Sequence, residues 1–348
     1  MKRVDAAPVC RDRDYLETED GWFFCVVGDL HSRDRVVAYP KYAPGQGPWR
    51  SESRSYRRLM SDYSMEELVR NLDEMRGQRG EYTYFDSYFG TEMSCVPWSR
   101  VLRHLKTRER LNQLHREKKR SLLINRLFYL VDLLSAESGV KRENFGVTGS
   151  ILLGIQQEFS DLDLVVYGGG NFGSVRRCVE KLRAEGSLGG LPAKSRAEWI
   201  ERRLRSYPLA KGDLGRILER TGTRGTVDGT TFSLHAVRLK DEVTEKYGDW
   251  RYRSLGLHRV RAIVVEAGEG CYNPALYRLK DAVTDDTSLP VSELASYDGT
   301  FASVFQEGDV LELYGKLEVG TSAHGEPDRI RLLLGTFEGA GKEFARLL

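Results

Sequence analysis

Asp161 and Asp163 stand two residues apart, which on a β-strand turns both carboxylates to one face and Leu162 and Leu164 to the other. Two like charges about 5 Å apart cost roughly 3 kcal/mol at an effective dielectric near 20, so the pair calls for water or a divalent cation. Mg²⁺, or Mn²⁺ in its place, suits hard carboxylate oxygens and bridges substrate phosphates. Twelve residues before Asp161 lies Gly149-Ser150, at a predicted strand-to-helix turn. Free backbone N–H groups, a glycine that permits close approach and a serine hydroxyl make that turn a phosphate-binding candidate.

The elements that must position these residues are legible from periodicity. Leu123, Leu127, Leu130 and Leu134, flanked by Ile124, Phe128 and Val131, predict a packed helix. A short strand over 144–148, a helix from about Ile151, a strand over 161–167, a helix over about 174–185 and a third strand over 231–238 follow. This order predicts an α/β arrangement around a small mixed sheet.

The run Gly-Val-Thr-Gly149-Ser150, with ten residues between Ser150 and Asp161, then Ser160-Asp161-Leu162-Asp163, resembles the DNA polymerase β-like nucleotidyltransferase superfamily, in particular its minimal branch. The resemblance spans roughly residues 122–238. It implies an NTP whose phosphates rest on Gly149 and Ser150, with Mg²⁺ on Asp161 and Asp163 aligning the α-phosphate with an acceptor hydroxyl. It also implies a third carboxylate on the next core strand, where Ser233 and His235 stand instead. Asp228 just upstream, Glu158, or His235 itself would then activate the acceptor, or the site binds nucleotide without turning it over. His235 is read equally as a strand residue with a structural hydrogen bond. The whole layout resembles uncharacterised archaeal predicted nucleotidyltransferases.

Around this centre the chain divides into an N-terminal α+β unit over 1–100, a basic helical connector over 101–120, the nucleotidyltransferase-like domain over 121–255, and a C-terminal barrel or sandwich over 256–348, OB-like in its short strands. The expected fold is therefore α+β and multidomain. In the first unit, residues 21–28 and 35–39 predict a hairpin around a turn containing His31 and Asp34, and residues 40–58, rich in Pro, Gly, Ser and Arg, predict an exposed loop. A helix over 65–76 is expected to be capped by Ser64. In the last unit, strands are predicted over 260–265, 300–304, 310–318 and 330–334. Tyr272 and Tyr277 offer either stacking surfaces or core packing, and Gly168-Gly169-Gly170 either a phosphate loop or a turn.

Charge is nearly balanced, with 53 Lys and Arg against 51 Asp and Glu, so the chain is no polycation and any nucleic-acid role must come from a local patch. Two basic stretches qualify, residues 98–120 and the set Arg176, Arg177, Lys181, Lys194, Arg196, Arg202, Arg203, Arg205 and Lys211. Each is read either as solvated helix face or as an anion-facing surface. Few Asn and Gln beside abundant charge resemble a thermophile's composition. Five dispersed cysteines without a CxxC pair fit reduced thiols in the cytoplasm, and no segment has the ~20 apolar residues of a membrane span. The N-terminal residues lack the apolar stretch of a secretory signal. These readings lead to a metal-dependent nucleotidyltransferase with RNA, protein or a small molecule as acceptor. The alternative is a degenerate nucleotide-sensing module that binds RNA or protein.

Overall fold

Strong alternation of apolar and polar side chains along three stretches sets up three sheets, which the computed structural model describes over residues 9–60, 65–285 and 289–348. The first sheet comprises β1 (Tyr15–Thr18), β2 (Phe23–Val26), β3 (Arg35–Arg50) and β4 (Ser55–Arg58), then, beyond helix α1 (Met65–Gln78), β5 (Thr83–Asp86), β6 (Thr91–Pro97) and β7 (Val101–Leu105). β2 and β3 form the expected hairpin. Helix α1 is present, and the Ser64 cap lies outside the described residues, as do residues 1–8 of the N-terminal reading.

Residues 40–58 are not a loop. Tyr42, Trp49 and Tyr56 carry the segment into β3 and β4, with Tyr42 and Trp49 rings 5.3 Å apart and Phe23 and Tyr56 rings 5.1 Å apart. Pro44 and Trp49 both face Tyr56 in the register, so Gly45-Gln46-Gly47-Pro48 is absorbed as a bulge. The basic connector also divides, because Val101–Leu105 pairs with β1 as a strand and helix begins only at α2 (Thr107–Arg116).

Helix α3 (Leu122–Ser138) starts where the Ser121 hydroxyl accepts from the Ile124 N–H and stops at Gly139, which takes the left-handed conformation that glycine permits. The central sheet follows: β8 (Phe145–Val147), the five-residue helix α4 (Gly149–Leu153), β9 (Leu162–Tyr167), α5 (Gly169–Ala184), α6 (Ala193–Ser206), α7 (Lys211–Thr221), β10 (Arg224–Val227) and β11 (Thr230–Val237). Its order is β10-β11-β9-β8, with β9 and β11 parallel. Leu162, Leu164 and Val166 face a core shared with α3 and α5, which leaves Asp163 and Val165 on the opposite face.

The third sheet contains β12 (Trp250–Glu266), β13 (Ala275–Thr284), β14 (Glu293–Ser296), β15 (Val310–Ser322), β16 (Arg329–Leu334) and β17 (Phe344–Leu347). β12 hydrogen-bonds to β13 on one edge and to β15 on the other, so the order β12-β13-β14-β16-β15 curls into a barrel with one parallel pair, β14 with β16. Residues 299–301 form a single 3₁₀ turn rather than the expected strand over 300–304, since buried Phe301 and Val304 plug the barrel core instead of joining its ladder. Trp199, Ile200, Leu214, Ile217 and Leu218 of α6 and α7 enter that same core, so it crosses the expected boundary at residue 255. Burial of each such side chain contributes about 1.5–3 kcal/mol.

Candidate functional site

One row of side chains crosses three strands of the central sheet. The register sets Asp163 of β9 beside Ser233 of β11, and Ser233 beside Arg224 of β10. Pleat geometry puts laterally paired residues on the same face, so carboxylate, hydroxyl and guanidinium stand in line. One turn of the pleat away, Thr231 lies beside Asp161 and donates its hydroxyl to that carboxylate. Ser233 Oγ donates to Asp163 Oδ1 at 2.6 Å. Of the two positions where the resemblance implies a third carboxylate, Ser233 therefore donates to Asp163 and His235 contacts Ser233, while Thr231, one pleat earlier, engages Asp161.

Gly149 explains itself by close approach. Its φ is +66°, and a Cβ there would stand 2.4 Å from Asp163 Oδ2, so only glycine lets the turn lie against the carboxylate. Ser150 is buried and faces the cleft. Asp161 is exposed at the rim. Loss of water around its carboxylate pushes its pKa up, Thr231 opposes the shift, and neighbouring Asp163 adds to it.

His235 Nε2 lies 3.0 Å from Ser233 Oγ. Because the serine proton is committed to Asp163, the imidazole must donate from Nε2, which assigns the neutral Nε2–H tautomer. Burial, followed by the charges of Arg13, Arg224 and Lys41, pushes its pKa well below the ordinary value. His235 is thus a neutral ring that orients Ser233, in line with the structural reading. Asp228 belongs to the hairpin turn: with φ +45° beside Gly229 at φ +75°, it makes the two-residue connection between β10 and β11 that favours Asp-Gly. Neither Asp228 nor Glu158 lines the cleft, and both are exposed. Among the described residues no group of three or more His, Cys, Asp or Glu is placed to hold a metal ion. Asp161 and Asp163 offer two hard oxygen donors, which fits a Mg²⁺ or Mn²⁺ that draws its other ligands from phosphate and water, not an all-protein cage.

The cleft, about 1230 Å³, opens where the three sheets meet. Of the basic stretch in α5–α7, Arg202 and Arg203 line it, whereas Lys181 pairs with Glu137, Arg196 with Glu219 and Lys211 with Glu201 elsewhere. Arg13, Lys41, Arg58 and Arg224 line it too and were not foreseen. Arg202, Arg203 and Arg224 form no ion pair among the described residues, and Arg203 Nε is buried without a hydrogen-bond partner. Burial, then repulsion from Arg203 and Arg202, lowers the Arg224 pKa, with Asp163 and Asp161 opposing. Tyr272 and Tyr277 are buried, and Tyr277 lies in the barrel core. Gly168, at φ +93°, turns the chain into α5.

No protein-family model matches the chain, and no solved structure matches it. It is similar over nearly its whole length to Uncharacterized protein MJ1086 of the archaeon Methanocaldococcus jannaschii, with 27% identity over 340 residues covering 97% of this chain and 98% of that one. The similarity supports a likeness to an uncharacterised archaeal protein along the whole chain, and that protein's name carries no activity. Among the described residues no helix is long and apolar enough to cross a membrane.

Proposed function

We propose that the cleft binds a nucleoside triphosphate with a divalent cation and transfers its nucleoside monophosphate to an acceptor hydroxyl. One observation carries this reading: Arg202, Arg203 and Arg224, which form no ion pair among the described residues, line the cleft with Ser150, Asp161 and Asp163, and Arg224 lies near both the aspartates and the other two arginines. Uncompensated cations that repel each other are held together at a cost that an anionic ligand removes, and a triphosphate is the anion that also needs the nearby aspartates through its metal. Asp161 and Asp163 would hold Mg²⁺ or Mn²⁺, which neutralises and orients phosphate oxygens. The arginines grip the β- and γ-phosphates, and the Ser150 hydroxyl donates to a phosphate oxygen. Ser233, set by His235, keeps one Asp163 oxygen engaged and the other directed to the cation. The acceptor oxygen bonds to the α-phosphorus, the bond to the β-phosphate oxygen breaks, pyrophosphate leaves, and the acceptor proton passes to water at the open rim beside Asp161. We read the barrel order, with its one parallel pair, as OB-type, and the three sheets as the centres of three units.

Ser233 and His235 in place of a third carboxylate favour a second reading, a site that senses nucleotide without turnover. Incubation of the protein with each α-labelled NTP, Mg²⁺ or Mn²⁺, and pooled RNA and protein separates the two. Transfer lost with Asp163→Asn upholds the transferase. Saturable NTP binding with no transfer under either metal moves the assignment to the sensor, and absence of both removes the nucleotide reading.

A further inference from the structure

At the mouth of the cleft an aromatic side chain stands in solvent. Phe159, two residues before Asp161, is 63% exposed, yet its ring is held edge-on by Trp49, with centroids 6.4 Å apart and planes at 71°. Trp49 sits on the β3–β4 hairpin and is braced in turn by Tyr42. The two elements are tied by the backbone as well, since Gln157 Nε2 donates to the Arg50 carbonyl at 3.3 Å. A fixed aromatic face open to water beside a reactive site stabilises nothing in the fold, because burial is what makes an aromatic ring stabilising.

The hairpin that braces it is basic. Residues 48–58 include Arg50, Arg54, Arg57 and Arg58 against one acid, Glu52. Arg50, Arg54 and Arg57 are exposed and form no ion pair among the described residues. The alternation of the hairpin directs Trp49 and Tyr56 to one face and Arg50 and Arg57 to the other. Arg58 lines the cleft beside Asp161. The cations therefore lie on the outer face of the hairpin and the stacking ring on its inner side, beside the aspartates, so a ligand that meets both must be flexible enough to pass around the hairpin. A ligand that matches needs negative charge repeated along its length and a flat unpaired ring at its end. Single-stranded nucleic acid has both, whereas a duplex hides its base faces and an acidic peptide has no ring to offer at each step.

We infer that the β3–β4 hairpin with Phe159 is the docking surface for a single-stranded nucleic acid, whose phosphates lie along Arg50, Arg54 and Arg57 and whose terminal base stacks on Phe159. Its terminal hydroxyl then enters the cleft as the acceptor, a last step that rests on the transferase reading, while the docking itself does not.

The test uses the full chain and a fluorescein-labelled single-stranded oligonucleotide of mixed sequence, roughly 12 nucleotides long, in RNA and DNA forms, with anisotropy read from about 50 to about 200 mM salt. Either form binding satisfies the proposal. Arg50→Ala/Arg54→Ala/Arg57→Ala is expected to flatten the dependence of log Kd on log salt by about 2, near 0.7 for each phosphate of a single strand that is no longer neutralised. Phe159→Ala is expected to weaken binding by about 5- to about 150-fold, the loss of one stacked base, with the salt slope intact and with Phe159→Tyr restoring affinity. Phe159 is exposed, so its loss leaves the fold in place. No binding of either form at the lowest salt, duplex bound as tightly as single strand, or an unchanged value for either variant overturns the inference. Oligonucleotide binding of the expected kind without label transfer would uphold the surface and remove the transferase, whereas label passing only to protein, without oligonucleotide binding, would do the reverse.

Discussion

Two of the strand faces that carry carboxylates treat charge in opposite ways. On the barrel, Glu318 accepts from Arg331 Nε and Nη2 at 3.0 and 2.9 Å and pairs with Lys316 at 2.9 Å, while Arg331 stacks over the Tyr252 ring at 3.4 Å. All three charged residues are buried and closed on one another. On the central sheet, among the described residues, the carboxylates of Asp161 and Asp163 receive only hydroxyls, and Arg224 beside them forms no ion pair. Charge that holds the fold together is completed within the fold. At the proposed nucleotide site charge is left incomplete, and that incompleteness is what supports the proposal.

The largest effect should come from breaking the closed face. Glu318→Ala leaves Lys316 and Arg331 buried without their carboxylate, and urea denaturation should read a loss of about 3–5 kcal/mol. A loss under about 1 kcal/mol would erase the contrast. On the open face, Arg224→Ala should cost NTP binding about 10- to about 150-fold, the worth of a charged hydrogen bond at about 1.5–3 kcal/mol, with stability unchanged or raised. Destabilisation without loss of affinity would place Arg224 with the structural charges.

A third way of managing charge sharpens the comparison. His31 is a half-buried ring whose Nδ1 accepts from the Val37 N–H, and loss of water around it above all lowers its pKa to about 4. A depressed folded pKa gives stability that is present above the ordinary value near 6.5 and lost as pH falls toward 4. Between pH 7 and pH 5 the loss should be about 2 kcal/mol, and His31→Gln should remove that part of the pH dependence of Tm. Equal pH slopes in the two proteins would show that the ring charges freely. The smallest effect is on stability in Asp163→Asn, within about 1 kcal/mol, while metal-dependent NTP binding disappears. A large stability loss there would make the aspartate a fold residue.

What the sequence disclosed follows from what each signal encodes. Period-2 alternation over 161–167 and 231–238 placed β9 and β11 and put both aspartates on one face, because strand geometry alone decides that. Amphipathic spacing in α6 and α7 says that they pack, not against what, so their membership of the barrel core stayed hidden. The Asp228-Gly229 pair was weighed for its carboxylate when its backbone was the signal. Read as a hairpin turn, it would have set Arg224 opposite Ser233 and exposed the row that ends on Asp163. In residues 40–58 the turn-forming composition outvoted three aromatics, whose packing made a strand of the segment.

Asp12 gives the assembly a history. Its buried carboxylate accepts from the Gly28 N–H and from Asn273 Nδ2, 261 positions later in the chain. The same first unit receives the Tyr252 N–H at Tyr88 and offers the Arg13 carbonyl to Thr148. Chains emerge from the ribosome in order, and units fold as they emerge. The first sheet therefore waits through most of synthesis with an acid whose last donor has not yet been made, and the barrel that arrives at the end closes the wall of the cleft and brings that donor with it.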